Sequence, residues 1–321
     1  MPERTPKTNL NQLLPTTSVL LIGLAACSTQ PTALVSPTKT GAVDLRVTEE
    51  PYQSQDSINQ RMAIVIPYLE KATGLRVTYV PAINYQHSHQ MLRDGEVDVI
   101  NVGVLGGYRL LHNNRKMVPL VVQKPSFRSV LIANRNALKR KDQAVNSAKP
   151  LTILRNQMVA FGSRSSGSTF MQPLMHMREQ QVPITALGTC FHEPNTNHLS
   201  TLVANGNVDF AFIPSFSGDP LHAVPKRLHE DIVVIWQSDP SRNDFMAAAL
   251  QPPTSTKHGH LLRLKAALLS LRTDNPEHKN VLDTWGYLGF EAPTTAFPTA
   301  MIRKVAAAHD SAEGVSTCQD L

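Results

Sequence analysis

Between Val43 and Val102 the spacing of apolar residues switches back and forth between the period of a strand and that of a helix, and few folds accommodate that. Val43-Asp44-Leu45-Arg46-Val47 alternates like a half-buried strand, Ile58 to Ala72 carries apolar residues at helical spacing, and Gly74 stops it. Val77-Thr78-Tyr79-Val80 reads as a second strand, Ser88 to Arg93 as a helix closed by Gly95, and Val97-Asp98-Val99-Ile100-Asn101-Val102 as a third strand. Strands that alternate with helices build a parallel sheet through crossovers.

The alternation continues downstream. Met117 to Val122 and Ser129 to Asn134 read as strands, Leu151 to Phe161 contains another, Phe170 to Gln180 reads as a helix with Pro173 near its start, and Val208 to Ile213 and Ile232 to Trp236 read as strands. Helical patterns follow at Leu261 to Leu271 and His278 to Leu288. A chain of 321 residues is long enough for two cores. The expected fold class is therefore α/β with two lobes, each a mostly parallel sheet flanked by helices. Residues 43–134 are expected to open the first lobe, 135–234 to form the second, 235–310 to return and pack on the first, and 311–321 to form a tail.

The N-terminus obeys a different logic. Arg4 and Lys7 precede the apolar stretch Val19-Leu20-Leu21-Ile22-Gly23-Leu24, which runs into Ala25-Ala26-Cys27. This arrangement resembles a bacterial lipobox, and it implies that residues 1–26 are a signal peptide removed before Cys27, whose thiol is lipidated. Residues 27–42, rich in Thr, Pro and Ser without periodicity, have the composition of a flexible tether. The expected location is periplasmic or at the cell surface, anchored to a membrane through Cys27. Beyond Cys27 only Cys190 and Cys318 remain, and their spacing does not decide whether they pair.

Charge excludes some functions. The full chain carries a formal +6, and loss of Glu3, Arg4 and Lys7 with the signal peptide leaves +5. Such an excess suits attraction of anions, but the Lys and Arg residues are scattered and lack the aromatic interleaving of a nucleic-acid track. No nucleic-acid partner is expected. Pairs such as His87/His89 and His258/His260 lack adjacent acidic or thiol partners, so neither a metal nor a cofactor is expected. Asp98 and Asp209 each follow a Gly-x-Val pattern at the start of a strand, where a carboxylate organises the turn, and nothing in the sequence pairs them as acid and base.

The segment that carries chemistry is Phe161-Gly162-Ser163-Arg164-Ser165-Ser166-Gly167-Ser168-Thr169-Phe170-Met171-Gln172-Pro173, a small hydroxyl-rich loop between a strand and a helix. Free N–H groups at a helix start and serine hydroxyls both donate to oxyanions. The same spacing also suits a loop in which Ser166 or Ser168 serves as N-cap.

This segment resembles the Asp-Pro-x-Ser-Thr-Ser-Gly-Tyr-x-x-Pro signature of the phosphonate- and phosphite-binding proteins of ABC importers. The resemblance extends in order along most of the chain, through Tyr68 to Gly74, Asn84-Tyr85, Leu92 to Val99, Ser129 to Ile132, Val203 to Asp209 and Ile235 to Ser238. It implies a two-lobed type II periplasmic binding protein, a monomer that closes over its ligand and delivers it to a membrane permease. Carried over residue by residue, it implies that Tyr85, Ser166 and Ser168 donate to the ligand. The family's Thr between the serines is Gly167 here, its Tyr two residues before Ser129 is Phe127, its His thirteen residues before Asp209 is Thr196, and an acidic residue five after Asp209 is Pro214. His198 is a candidate to replace the missing imidazole, and Arg164 a candidate to add positive charge to the pocket.

The resemblance thus implies a non-catalytic receptor for a small phosphonate, phosphite or phosphate-like oxyanion. Two other readings compete with it. The same fold serves ligand-sensing partners of membrane signalling proteins. A secreted hydrolase with Ser166 or Ser168 as nucleophile would need a base and an orienting third group, and the loop is not a Gly-x-Ser-x-Gly elbow.

Overall fold

The computed structural model describes residues 41–112, 116–141, 145–216, 218–295, 297 and 318–320. The signal segment, Cys27 and most of the tether lie outside them.

The first sheet starts as the sequence pattern predicts. Strand β1 (Leu45–Glu49) leads to helix α1 (Gln55–Thr73), then β2 (Val77–Tyr79), α2 (Tyr85–Arg93), β3 (Val99–Gly103), α3 (Val104–His112) and β4 (Met117–Gln123). The Ser54 side chain caps α1 by accepting from the Ser57 N–H, and Gly74 ends it in the left-handed region at φ 68°. Strands β1, β2 and β3 pair in parallel, as crossover helices require.

The chain then changes sheets. Strand β5 (Arg128–Asn134) leads through α4 (Arg135–Lys141), β6 (Met158–Phe161), α5 (Gln172–Glu179), β7 (Thr189–His192), α6 (Thr196–Ala204) and β8 (Phe210–Ser215) to β9 (Ile232–Gln237). It returns as β10 (Asp244–Ala249), α7 (Thr256–Leu269), α8 (Pro276–Trp285) and β11 (Phe290–Glu291), and β12 (Gln319–Asp320) closes the order. The two six-stranded sheets run β11-β4-β10-β3-β1-β2 and β12-β7-β6-β8-β5-β9. Both mix parallel and antiparallel pairs: β4 and β10 in the first sheet, and β5 in the second, are antiparallel to both their neighbours.

Three placements differ from the boundaries read off the sequence, the smallest being residues 235–237, assigned there to the return segment but still part of β9 in the second sheet. Segment 128–134, assigned there to the first lobe, is β5 of the second sheet, antiparallel to β8 and β9. Segment 311–321, expected as a tail, contributes β12, which pairs in parallel with β7. Cys318 just before it forms a disulfide with Cys190 in β7.

Each sheet is covered on both faces. Leu45, Ile58, Val65, Leu264, Leu282 and Trp285 pack on one side of the first sheet, and Met91, Leu92, Ile100, Val102 and Phe245 on the other. In the second sheet Leu131 and Ala133 face Phe161, Phe170 and Phe212, while Val130 and Ile132 face Leu199, Val203 and Leu228. This two-sided burial explains the near-continuous apolar run Val130-Leu131-Ile132-Ala133. Each large side chain so buried contributes roughly 1.5–3 kcal/mol relative to exposure.

Two short segments, 124–127 and 238–243, carry the chain between the sheets, and they are tied to each other. Phe127 N–H donates to the Ser241 carbonyl at 3.1 Å and Ser241 N–H donates to that of Phe127 at 2.7 Å. Gln123, fully buried, adds a side-chain bond in which its Oε1 accepts from the Asp244 N–H at 3.2 Å. Among the described residues no helix is long and apolar enough to cross a membrane.

Candidate functional site

A narrow polar cavity lies between the two sheets. Its walls come from the ends of strands and the loops that follow or precede them: Glu49 and Glu50 at and after the end of β1, Asn101 to Gly103 at the end of β3, Ser166 to Thr169 after β6, Pro214 and Phe216 at and after the end of β8, and Asn243 and Asp244 entering β10. The carboxyl ends of parallel strands are where such folds place ligands.

The serine loop is built as a reentrant turn. Strand β6 ends at Phe161, and the chain folds back so that the Gly162 N–H reaches the Thr169 carbonyl at 3.1 Å. A side chain at 162 would overlap the Thr169 hydroxyl, which explains the glycine. Residues Gly167–Met171 form one π-helical turn leading into α5. Ser166 caps it: its Oγ accepts from the Thr169 N–H at 3.1 Å and lies 3.0 Å from Ser168 Oγ. Capping engages a lone pair of Ser166 and leaves its proton for a partner, so the N-cap and donor readings hold together.

The structure brings Tyr85, Ser166, Gly167, Ser168 and Thr196 to the cavity wall. Tyr85 opens α2, behind the cap Asn84. Burial, with Glu50 adding to it, pushes its hydroxyl well above the ordinary range, so it stays a neutral donor. Thr196 opens α6, and its N–H donates to the Tyr52 carbonyl of the other lobe at 3.1 Å.

Phe127 and His198 are not part of the wall. Phe127 is fully buried in the crossing segments, its ring 5.2 Å from that of Phe216, so Phe216 stands in front of it. His198 lies two residues beyond Thr196 along α6; its side chain is 51% exposed and its Nδ1 is 2.6 Å from Glu193 Oε2. Arg164 likewise points away, donating to the Cys318 carbonyl. Asp98 accepts from the Arg46 N–H at 2.8 Å and pairs with Lys257 at 3.0 Å, and Asp209 accepts from the Met158 N–H at 3.0 Å. Each thus ties the start of its strand to the neighbouring parallel strand instead of organising the turn before it, and the two lie on different sheets.

Sequence reasoning missed the opposite wall, which is acidic. Glu49 pairs with the buried Arg61, whose guanidinium also lies over the Tyr52 ring at 5.1 Å. Burial disfavours the Arg61 charge, but Glu49 more than offsets this and holds its pKa above the ordinary value. Glu50 accepts from the Gly103 N–H at 2.9 Å and lies 2.6 Å from His89 Nε2. A side chain at Gly106 of α3 would collide with this Glu50–His89 pair. Asp244 accepts from Tyr287 Oη at 2.6 Å and from Asn243. Burial pushes its carboxyl up to about 7, Tyr287 opposes the rise, and Glu50 adds to it. The available signal was position: Glu49-Glu50 and Asn101 sit at the carboxyl ends of two adjacent parallel strands.

Known proteins are similar to this chain in sequence and fold. A family model described as the ABC transporter, phosphonate, periplasmic substrate-binding protein matches residues 47–296. The probable ABC transporter phosphite-binding protein PhnD1 of Prochlorococcus marinus (strain MIT 9301) is 25% identical over 253 residues, covering 77% of this chain and 84% of its own. The solved structure of PhnD1 from that organism in complex with methylphosphonate superposes with a TM-score of 0.72 at 20% identity, over 83% of this chain and 98% of that one. The binding-protein component of an ABC phosphonate transporter from Pseudomonas aeruginosa gives a TM-score of 0.66 at 19% identity, over 85% and 89% of the two chains. With two sheets facing one polar cavity and the family pattern running through nearly all of both, the chain belongs to the periplasmic substrate-binding proteins of phosphonate ABC transporters.

Proposed function

We propose that this chain captures a small phosphorus oxyanion between its lobes and delivers it to a permease, and that lipidated Cys27 tethers it to the membrane. The observation that carries the reading is the serine loop: Ser166, Gly167 and Ser168, at the start of a helical turn, line the cavity together with Tyr85 of the other lobe. Charge-assisted hydrogen bonds from such donors contribute roughly 1.5–3 kcal/mol each. The work is binding and closure. The lobes touch through Thr196 and Tyr52 and through Arg109, which donates to Ser165 across the cleft.

Thermal unfolding of the form starting at Ser28, with phosphite, methylphosphonate, phosphate, sulfate and uncharged solutes, tests this. A ligand at about a hundred times its dissociation constant adds roughly 2.7 kcal/mol, a rise of a few degrees. Phosphite or methylphosphonate should raise the midpoint, and the Ser166→Ala/Ser168→Ala variant should lose that rise. A variant that binds as well as the parent would remove the serine loop from the site.

A further inference from the structure

One chain of donors fixes the hydrogen-bond polarity of the first-lobe wall. Ionised Asp244 only accepts: Oδ2 takes the Tyr287 proton at 2.6 Å, and Oδ1 takes an N–H of Asn243. With its single proton committed, Tyr287 Oη accepts from Asn101 Nδ2 at 3.1 Å. Both amides therefore turn their N–H₂ ends inward to this chain and leave their oxygens over. Asn101 Oδ1, Asn243 Oδ1 and Glu49 Oε2 are buried and have no hydrogen-bond partner among the described residues. All three residues line the cavity, and they are only 9%, 5% and 1% exposed. A buried acceptor left without a donor is costly, so three at one wall point to donors that arrive with the ligand.

We infer that Asn101 and Asn243, oriented by Asp244 and Tyr287, are specificity-determining acceptors that admit an oxyanion carrying its own proton and refuse one that carries none. This rests on the oxyanion reading of the serine loop. A phosphonate or phosphite monoanion gives its charged oxygens to the serine loop and its P–O–H to the acceptor wall. A sulfonate of the same shape turns a bare oxygen to those acceptors. Sites built to bond a ligand O–H reject the analogue that lacks it by large factors. An ammonium group on the ligand satisfies the same acceptors, so it is tested separately.

The experiment is calorimetric titration near pH 7, where most of the methylphosphonate keeps its second proton, with methylphosphonate, methanesulfonate and aminomethylphosphonate. It uses the parent, Asp244→Asn and Ser166→Ala/Ser168→Ala. The parent should bind methylphosphonate at least about a hundredfold more tightly than methanesulfonate. Asp244→Asn lets the Asn243 amide turn its N–H₂ to the cavity, and should shrink that ratio about tenfold or more. Equal affinity for the two ligands, an unchanged ratio in a folded Asp244→Asn, or binding of aminomethylphosphonate alone would overturn the acceptor wall. The parent ratio decides alone if that variant does not fold. Binding of methylphosphonate that survives loss of both serines would instead overturn the oxyanion reading beneath it.

Discussion

A methyl group placed on Gly167 would stand 3.3 Å from Asn243 Oδ1 and 3.4 Å from Val104 Cβ, both atoms of the facing lobe. The glycine at this position therefore gives up a hydroxyl and gains close approach. Gly167→Thr, which restores the family's residue, should weaken methylphosphonate binding, because overpacking costs about 1–3 kcal/mol and here falls on the closed state. Titration reads this directly, and tighter binding would show that the lobes have room to spare. Asp244 gives a second residue-scale expectation. Its folded pKa near 7 lies above the unfolded value of 3.8, so between those values the folded state holds the proton more tightly. Its contribution to stability is then present at low pH and lost as pH rises toward 7, by an amount on the order of a few kcal/mol. Urea midpoints of the parent minus those of Asp244→Asn should accordingly fall between pH 5 and pH 8. At this scale the sequence pointed to one side of the candidate cavity and not to the other. The serine loop announces itself by composition, whereas Glu49, Glu50 and Asp244 look like ordinary surface charges until the sheet buries them. Phe127, carried over from a family position, and His198, offered as a substitute imidazole, do not line the cavity, because a place in the sequence does not set which way a side chain faces.

Among the elements, those with a clean period were legible and those without were not. Helix α1 differs from its reading by a few residues at the start, and β1, β3 and β9 sit within two residues of theirs. Helix α3 was missed because Gly106-Gly107 depress helix propensity, and the structure shows why they are there: a side chain at Gly107 would overlap the Phe245 ring, as one at Gly106 would the Glu50–His89 pair. Strand β10 was missed because Asp244-Phe245-Met246-Ala247-Ala248-Ala249 neither alternates nor carries β-branched residues; it is held from both sides by β3 and β4 instead. The strand β5 was recognised but given to the wrong lobe. Nothing in a strand's own residues names its sheet, and the turn that separates it from β4 is only four residues long.

For the whole molecule, the decisive link is the bond between Cys190 and Cys318, which spans a sequence separation of 128 residues and fixes β12 on the edge of the second sheet. Closing so long a loop lowers the entropy of the unfolded chain, worth about 4–5 kcal/mol in the simplest chain model. Cys190→Ser/Cys318→Ser should therefore unfold at lower temperature, a drop that calorimetry of the oxidised parent and the variant would reveal. If the two midpoints coincide, the unfolded state is already compact. The bond also decides how the protein responds to cutting. Strand β10 and helices α7 and α8, which complete the first lobe, all lie inside the loop that is fastened on the second. A protease that severs the chain once anywhere between those cysteines leaves both pieces covalently joined. Such a nicked molecule runs as one band until reductant is added, even if one of the two crossings between its lobes has been broken.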